Sequence, residues 1–342
     1  MPAAAVVEIF VDGTSGSDAN TGLAGHPLKT LAKACLIIAK NHWNNIPTTM
    51  TISPGTYREA IQIAGTSPTT GAPVTLQATQ PGSVIISGAD VWTGWQPDTT
   101  NSALLTHSWP YRFGICTVPA GWPTLREIVL RREMIFLNGK MMTQVLALKD
   151  MRAGAFFVDE VAARAYIWPW IPIDVSKATI EVAVRPLLFE SYQVPHLTVK
   201  GLTFEHANSC MSTRQRSAVA IVGAVDDLVE DTTINGNNWT GLTLYNLTSS
   251  TIRQTTVNTN GELGIDGFKN KDITLDEVEA SFNNWRGAWG YFMTWETGGA
   301  KFLFTHGGTF TSFTAIGNQG RGIWFDTDNL DIKVDVIPGA SL

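Results

Sequence analysis

The stretch "GIWFDTDN" at 322–329 places Trp324 and Phe325 directly before Asp326 and Asp328, in a segment that otherwise alternates like a strand. Glu296 and Lys301 lie a little upstream in "WETGGAKF". Paired carboxylates are the minimum equipment for cleaving a glycosidic bond, one donating a proton and the other acting as base or nucleophile. Asp326 with Glu296 or Asp328 is the candidate pair, and close carboxylates push one partner toward the protonated form an acid needs. Lys301 permits a different chemistry, removal of a proton next to a uronate carboxylate, provided another cation neutralises that carboxylate; Arg321 is the nearest arginine. The plainer readings are solvated or calcium-binding turn acids and a surface Lys301–Glu296 pair of little energetic worth.

These residues need a scaffold, and the sequence from Leu197 onward supplies one. Placed under one another, "LTVKGLTFEHAN", "LVEDTTINGNN", "STIRQTTVNTNG", "ITLDEVEASFNN" and "GTFTSFTAIGNQG" share an apolar residue, another five later, and usually an Asn three after that. Val229, Ile252 and Leu275 head three rows at intervals of about 23 residues, a solenoid period. Four rows carry Asn-x-x-x-Gly: Asn237 with Gly241, Asn260 with Gly264, Asn283 with Gly287 and Asn318 with Gly322. A coil this short cannot bury its own apolar face, whereas stacked coils give a continuous core with parallel strand pairing. Asn suits a stacked turn because it tolerates left-handed backbone and its amide can bond to the next coil. The expected fold is all-β, a right-handed parallel β-helix.

Alignment on the glycine of each Asn-x-x-x-Gly assigns faces, because alternate strand residues point to opposite sides. Leu242 and Leu244, Ile265 and Gly267, Ala288 and Gly290, and Ile323 and Phe325 fall inside. Thr243, Asp266, Trp289 and Trp324 form one outer row, and Tyr245, Phe268, Tyr291 and Asp326 a second. Trp289, Tyr291 and Trp324 beside Asp266 and Asp326 make a shelf suited to sugars, whose rings offer apolar C–H faces and hydroxyl donors. Packing beneath another segment is the competing explanation for these rings. The long interval "WGYFMTWETGGAKFLFTHGG" reads as a loop that brings Glu296, Lys301 and His306 toward the neighbouring coils. His206, ending a strand in "TFEHAN", reads as structural.

Upstream, residues 1–88 read as an N-terminal cap and first coils. Leu28, Leu31, Ala32, Cys35 and Ile38 share one face of a short amphipathic helix, and "TMTISPGTYREAIQI" and "VTLQATQPGSVIISGAD" give short strands broken at glycine turns. Residues 89–194 read as an inserted β-rich subdomain whose Trp168 and Trp170 serve core or docking surface. Residues 195–342 carry the coils and the candidate site, with one incomplete coil, "IKVDVIPGASL", following it.

At 342 residues and 44% hydrophobic, the chain is ample for a large core. A net charge of −6, with no basic stripe, argues against nucleic acid. No run approaches a membrane span, and "MPAAAVVEIF" lacks the pattern of a signal peptide. Cys35, Cys116 and Cys210 are odd in number and far apart, and read as small buried hydrophobes rather than a disulfide or metal framework. The loop with Asp12, Asp18 and Asn20 matches no EF-hand, so no metal is assigned, calcium being the only candidate.

The segments "FVDGTSGSDANTGLAGHPLKTLAKA" and "ISPGTYRE", the coils from 197 and "GNQGRGIWFDTDN" together resemble the pectin lyase-like superfamily of right-handed β-helix proteins. The resemblance implies a carbohydrate-active protein with a polysaccharide or oligosaccharide partner, no required cofactor, and an extracellular or periplasmic setting. Glycoside hydrolysis is the leading expectation. Lys301 resembles the base of the alginate lyase and chondroitinase B group, although Asp326 stands where that group's arginine is expected. "GIDGF" is similar to a polygalacturonase segment, without the other motifs of those enzymes. A non-catalytic glycan-binding or adhesin β-helix is the alternative from another class.

Overall fold

A computed structural model describes residues 5–118, 124–210, 217–288 and 297–336. Short β-rich segments separated by turns wind into coils, and equivalent strands of successive coils pair in parallel. One inward row can be followed through the ladder from Ile9 to Met50, Leu76, Val199, Val229, Ile252, Leu275 and Phe310. A second runs from Ile61 through Phe189, Val219, Leu242, Ile265 and Ala300 to Ile323. These rows close one continuous apolar core. Parallel neighbours lie about 4.8 Å apart, so each coil extends the core by one side-chain layer.

Helix α1 (Leu31–Trp43) starts where Thr30, in extended backbone, accepts the N–H of Lys33 through its side chain. It buries Leu31, Ala34, Cys35 and Ile38 against the first coils. Ala34, not Ala32, completes that face: the helical spacing 31, 34, 35, 38 keeps Ala32 outward. In the loop before it, Asp12 accepts the N–H groups of Thr14 and Ser15, and Asp18 those of Lys29 and Thr30. Their carboxylates therefore serve turn geometry.

The Asn turns stack as a ladder. The side-chain amide of Asn237 donates to Asn260 at 3.0 Å, Asn260 to Asn283 at 3.1 Å, and Asn283 to Asn318 at 3.2 Å. The register of one coil differs from the sequence reading. Opposite Leu263–Phe268 the strand is Gly298–Leu303, with Gly299 and not Gly287 beside Gly264. Asn283 keeps its place in the ladder while the chain leaves the coil and resumes the strand some residues later. Lys301, expected in a loop, is thus a strand residue.

Between the Val84–Ser87 and Phe189–Tyr192 strands the chain departs from the coils and forms two sheets, mostly antiparallel, around a core that includes Trp95, Trp109, Phe156 and Ile167. Several ties fasten this segment to the helix. Cys116 and Cys210 form a disulfide across 94 residues, which overturns the reading of both as free hydrophobes; spacing along the chain could not reveal a pair that only the fold brings together. Arg286 is buried and donates to Asn238 Oδ1 at 2.9 Å, to Gln144 Oε1 at 2.7 Å and to the Glu133 carbonyl at 2.9 Å. Burial pushes its guanidinium down to about 9, with the Glu133 charge acting in the opposite direction. Arg58 pairs with Glu181 at 2.8 Å.

Candidate functional site

The seven-stranded parallel sheet has an outer face as well as the inward row above. Its register aligns Ala220, Thr243, Asp266, Lys301 and Trp324 on successive strands. Outward residues of a sheet are ordinarily solvated. Here Asp266 is 6% exposed and Lys301 only 3%. Burying charge without partners is costly, so charges in such a place are paired.

Lys301 shows how. Its Nζ lies 2.9 Å from Asp326 Oδ2 and 4.1 Å from the centroid of Trp324, a salt bridge and a cation–π contact made by one ammonium. The guanidinium of Arg321 lies 5.2 Å from the same ring. Asp326 follows directly on the Arg321–Phe325 strand, anchored by its N–H to the Phe302 carbonyl at 2.9 Å. Burial pushes the Asp326 carboxyl up, but the hydrogen bond and charge of Lys301, helped by Thr327, outweigh it and hold the group below the usual carboxylate range. Asp326 is thereby kept as a carboxylate, fit for a base or nucleophile rather than a proton donor. This reverses the expectation that a neighbouring carboxylate raises it.

A further acid joins this face that the sequence reading passed over. Glu262, 4% exposed in the turn before Leu263–Phe268, accepts a hydrogen bond from the Thr240 hydroxyl at 3.0 Å. The signal was present in the rows: Glu262 is an acid where the aligned coils carry Trp239 and Gly320. The hydroxyls of Ser217 and Thr243 are hydrogen-bonded to each other on the same face. At the entry to these strands, Leu125, Val129 and Leu130 of the interposed segment pack with Trp239 and Ala288, and Arg126 donates to the Gly287 carbonyl at 3.3 Å. The interposed segment thus packs against the coils where these strands begin.

The structure brings Asp266, Lys301, Arg321, Trp324 and Asp326 to one face. His306 and Asp328 are placed differently: they face each other at 3.4 Å in exposed turns beyond the ends of their strands. Asp328 adopts φ 53°, a turn conformation. The expected Asp326–Asp328 pairing is thus replaced by two separate contacts, Lys301 with Asp326 and His306 with Asp328. Glu296, Trp289 and Tyr291 lie outside the described residues, and the register places Lys301, not Trp289, in the row of Asp266 and Trp324. Among the described residues no cluster of three or more His, Cys, Asp or Glu side chains is arranged to hold a metal ion, and no helix is long and apolar enough to cross a membrane.

Residues 196–335 match the family described as right handed beta helix region. No curated protein matches the sequence. Among solved structures, the complex of XylC with xylose is similar at 16% identity and TM-score 0.71, over 95% of this chain and 61% of that one. A structure described as glycoside hydrolase is similar at 11% identity and TM-score 0.55, over 96% of each chain. The present chain thus spans 61% of the length of the XylC chain. Stacked parallel coils, an unbroken Asn ladder and this match together identify the fold of the chain as a right-handed parallel β-helix.

Proposed function

We propose that this chain is a carbohydrate-active protein, a glycoside hydrolase whose reaction takes place on the outer face formed by Asp266, Lys301, Trp324 and Asp326. The observation that carries the reading is the buried Lys301 ammonium paired with Asp326 beneath a tryptophan, on a sheet face where solvated side chains would otherwise stand. Trp324 offers a ring to a sugar face. Asp326, ionised through Lys301, acts as base or nucleophile, and Asp266 shares the outward row two strands along the same sheet. Lys301 is already engaged with a carboxylate and a ring, which favours hydrolysis over elimination. Neighbours of the same fold that include a xylose complex and a glycoside hydrolase agree with this reading.

The test is a panel of neutral and uronic-acid saccharides, with reducing ends and ultraviolet absorbance read on the same samples. Reducing ends without absorbance, lost by about a hundredfold or more in Asp326→Asn, are expected. Absorbance from an unsaturated uronate would transfer the assignment to an elimination with Lys301 as base. Full activity in Asp326→Asn would remove Asp326 from the mechanism.

A further inference from the structure

The interposed segment contains a cavity of about 390 Å³ that the site above does not use, lined by Trp92, Thr93, Gly94, Trp95, Val175, Ser176, Ala178 and Ile180. Its volume falls within the roughly 300–1,000 Å³ usual for small-ligand pockets. We propose that it is a second binding site, for an uncharged saccharide unit, separate from the cleavage face.

Local structure builds the pocket deliberately. The Trp92 N–H is tied to the Ile180 carbonyl at 2.8 Å, fixing one rim to the other. Gly94, with φ 85°, then turns the chain back so that Trp95 points inward. On the opposite rim Asp174 accepts both the N–H and the hydroxyl of Ser176, at 3.1 and 2.7 Å, and pairs with Lys177 at 3.3 Å. Both rims are therefore fixed by hydrogen bonds of their own.

The lining specifies the ligand. Trp92 is half-buried and braced by His107 at 4.8 Å and Trp109 at 5.5 Å between ring centroids, a rigid aromatic surface for an apolar ring face. Trp95 is 3% exposed, and its indole N–H is buried without a hydrogen-bond partner. The Ser176 hydroxyl has already donated to Asp174 and so presents lone pairs to a ligand donor, while the Thr93 hydroxyl can act either way. No Lys, Arg, Asp or Glu lines the cavity, which disfavours a charged ligand. An apolar ring face with hydroxyl donors and acceptors around it and no charge is a neutral sugar.

The outer aromatic row is a weaker candidate for the same purpose. Tyr245 and Phe268 are stacked on each other at 5.5 Å and 10° between planes, with Tyr245 exposed on the open sheet face rather than set in a cavity.

The choice of a sugar rests on the carbohydrate reading, so the test separates the two sites. Neutral mono- and disaccharides are titrated into the full chain by calorimetry, in the parent and in three variants. Trp92→Leu removes the ring; Ala178→Phe fills the cavity and leaves the tryptophans in place, guarding against misfolding of the first; Asp326→Asn disables the cleavage face. Binding that persists in Asp326→Asn and weakens about tenfold or more in both cavity variants is expected, with hydrolysis of a short soluble substrate unchanged by Ala178→Phe. Binding that is lost in Asp326→Asn but kept in Ala178→Phe overturns the proposal while leaving the hydrolase reading intact. No saccharide binding sensitive to either cavity variant also overturns it, whatever the activity assay shows.

Discussion

The charge state of Asp326 depends chiefly on one neighbour, which makes it open to test by pH. Burial and Lys301 act on its carboxyl in opposite directions, and Lys301 prevails. In Lys301→Met only the weaker Thr327 hydrogen bonds still oppose burial, so the carboxyl takes its proton at higher pH. The acidic limb of the kcat/KM profile should then move to higher pH as well as falling in height; an unmoved limb would mean that Asp326 does not set it. Two residues away from the site shape stability in opposing ways. Asp227 is pushed up to about 7, chiefly by burial, because only one of its oxygens has a partner, the Leu197 N–H at 3.0 Å. Between its ordinary 3.8 and about 7 the unfolded chain has lost this proton and the native chain keeps it, so stability falls as pH rises through that window. His206, stacked on Phe136 and pushed down to about 3 by burial, does the reverse: the unfolded chain is protonated below about 6.5 and the native one is not, so stability falls as pH drops. The two offset each other between about pH 4 and 6.5. Asp227→Asn keeps the acceptor for Leu197 and removes the ionisation, and should stabilise the fold at pH 8 by an amount on the order of 4 kcal/mol that disappears near pH 4. Urea unfolding at the two pH values measures it, and equal stability of variant and parent at pH 8 would contradict it. The outer row was legible in the sequence because alternation is local: Thr243, Asp266 and Trp324 stand where counting from each glycine puts them. The partners of Asp326 were not, since the contact with Lys301 depends on which strand lies next door.

The coil is the unit in which the sequence speaks most clearly, and also where it misleads. The rows headed by Val229, Ile252 and Leu275 pair residue for residue, because each coil repeats the same turn chemistry at the same spacing. The coil of Asn283 keeps the asparagine and then departs, and Gly287 imitates the glycine that Gly299 supplies. A motif of two residues cannot distinguish these glycines; the strand pairing that does is non-local. The ladder itself is more than a spacing device. Asn260 is fully buried, accepts from the Asn237 amide and donates to both the Ile234 carbonyl at 3.3 Å and Asn283 at 3.1 Å. Asn260→Ala strands several buried polar groups, each costing about 1–3 kcal/mol, whereas Asn318→Ala at the last rung strands fewer. Unfolding free energies from denaturant titration should therefore fall by roughly 3 kcal/mol or more in the first variant and clearly less in the second. Equal losses would mean that the amides act independently of their neighbours on the ladder.

At the scale of the whole molecule, the question is what holds the interposed segment against the coils, since it packs where the strands of the candidate site begin. A buried arginine and a salt bridge contribute specificity, but only the Cys116–Cys210 disulfide is covalent. Closing a loop of 94 residues restricts the unfolded chain strongly, on the order of 4–5 kcal/mol in the chain-entropy account. Such a bond persists where the surroundings are oxidising. The remaining cysteine is of another kind: Cys35 is free, packed into the helix core, and burial pushes its thiol up to about 11, which makes it inert in the native state. The three cysteines, indistinguishable by spacing, should therefore separate by chemistry. Thiol titration of the purified chain is expected to find none accessible when native, one after denaturation without reductant, and three after reduction. Cys116→Ser should lower the thermal midpoint, and reductant should lower that of the parent but not of the variant. Three thiols in the denatured, unreduced protein would show that the segment is held without a covalent tie, and its attachment would then depend on polar and apolar contacts that a single Arg286→Met substitution should loosen.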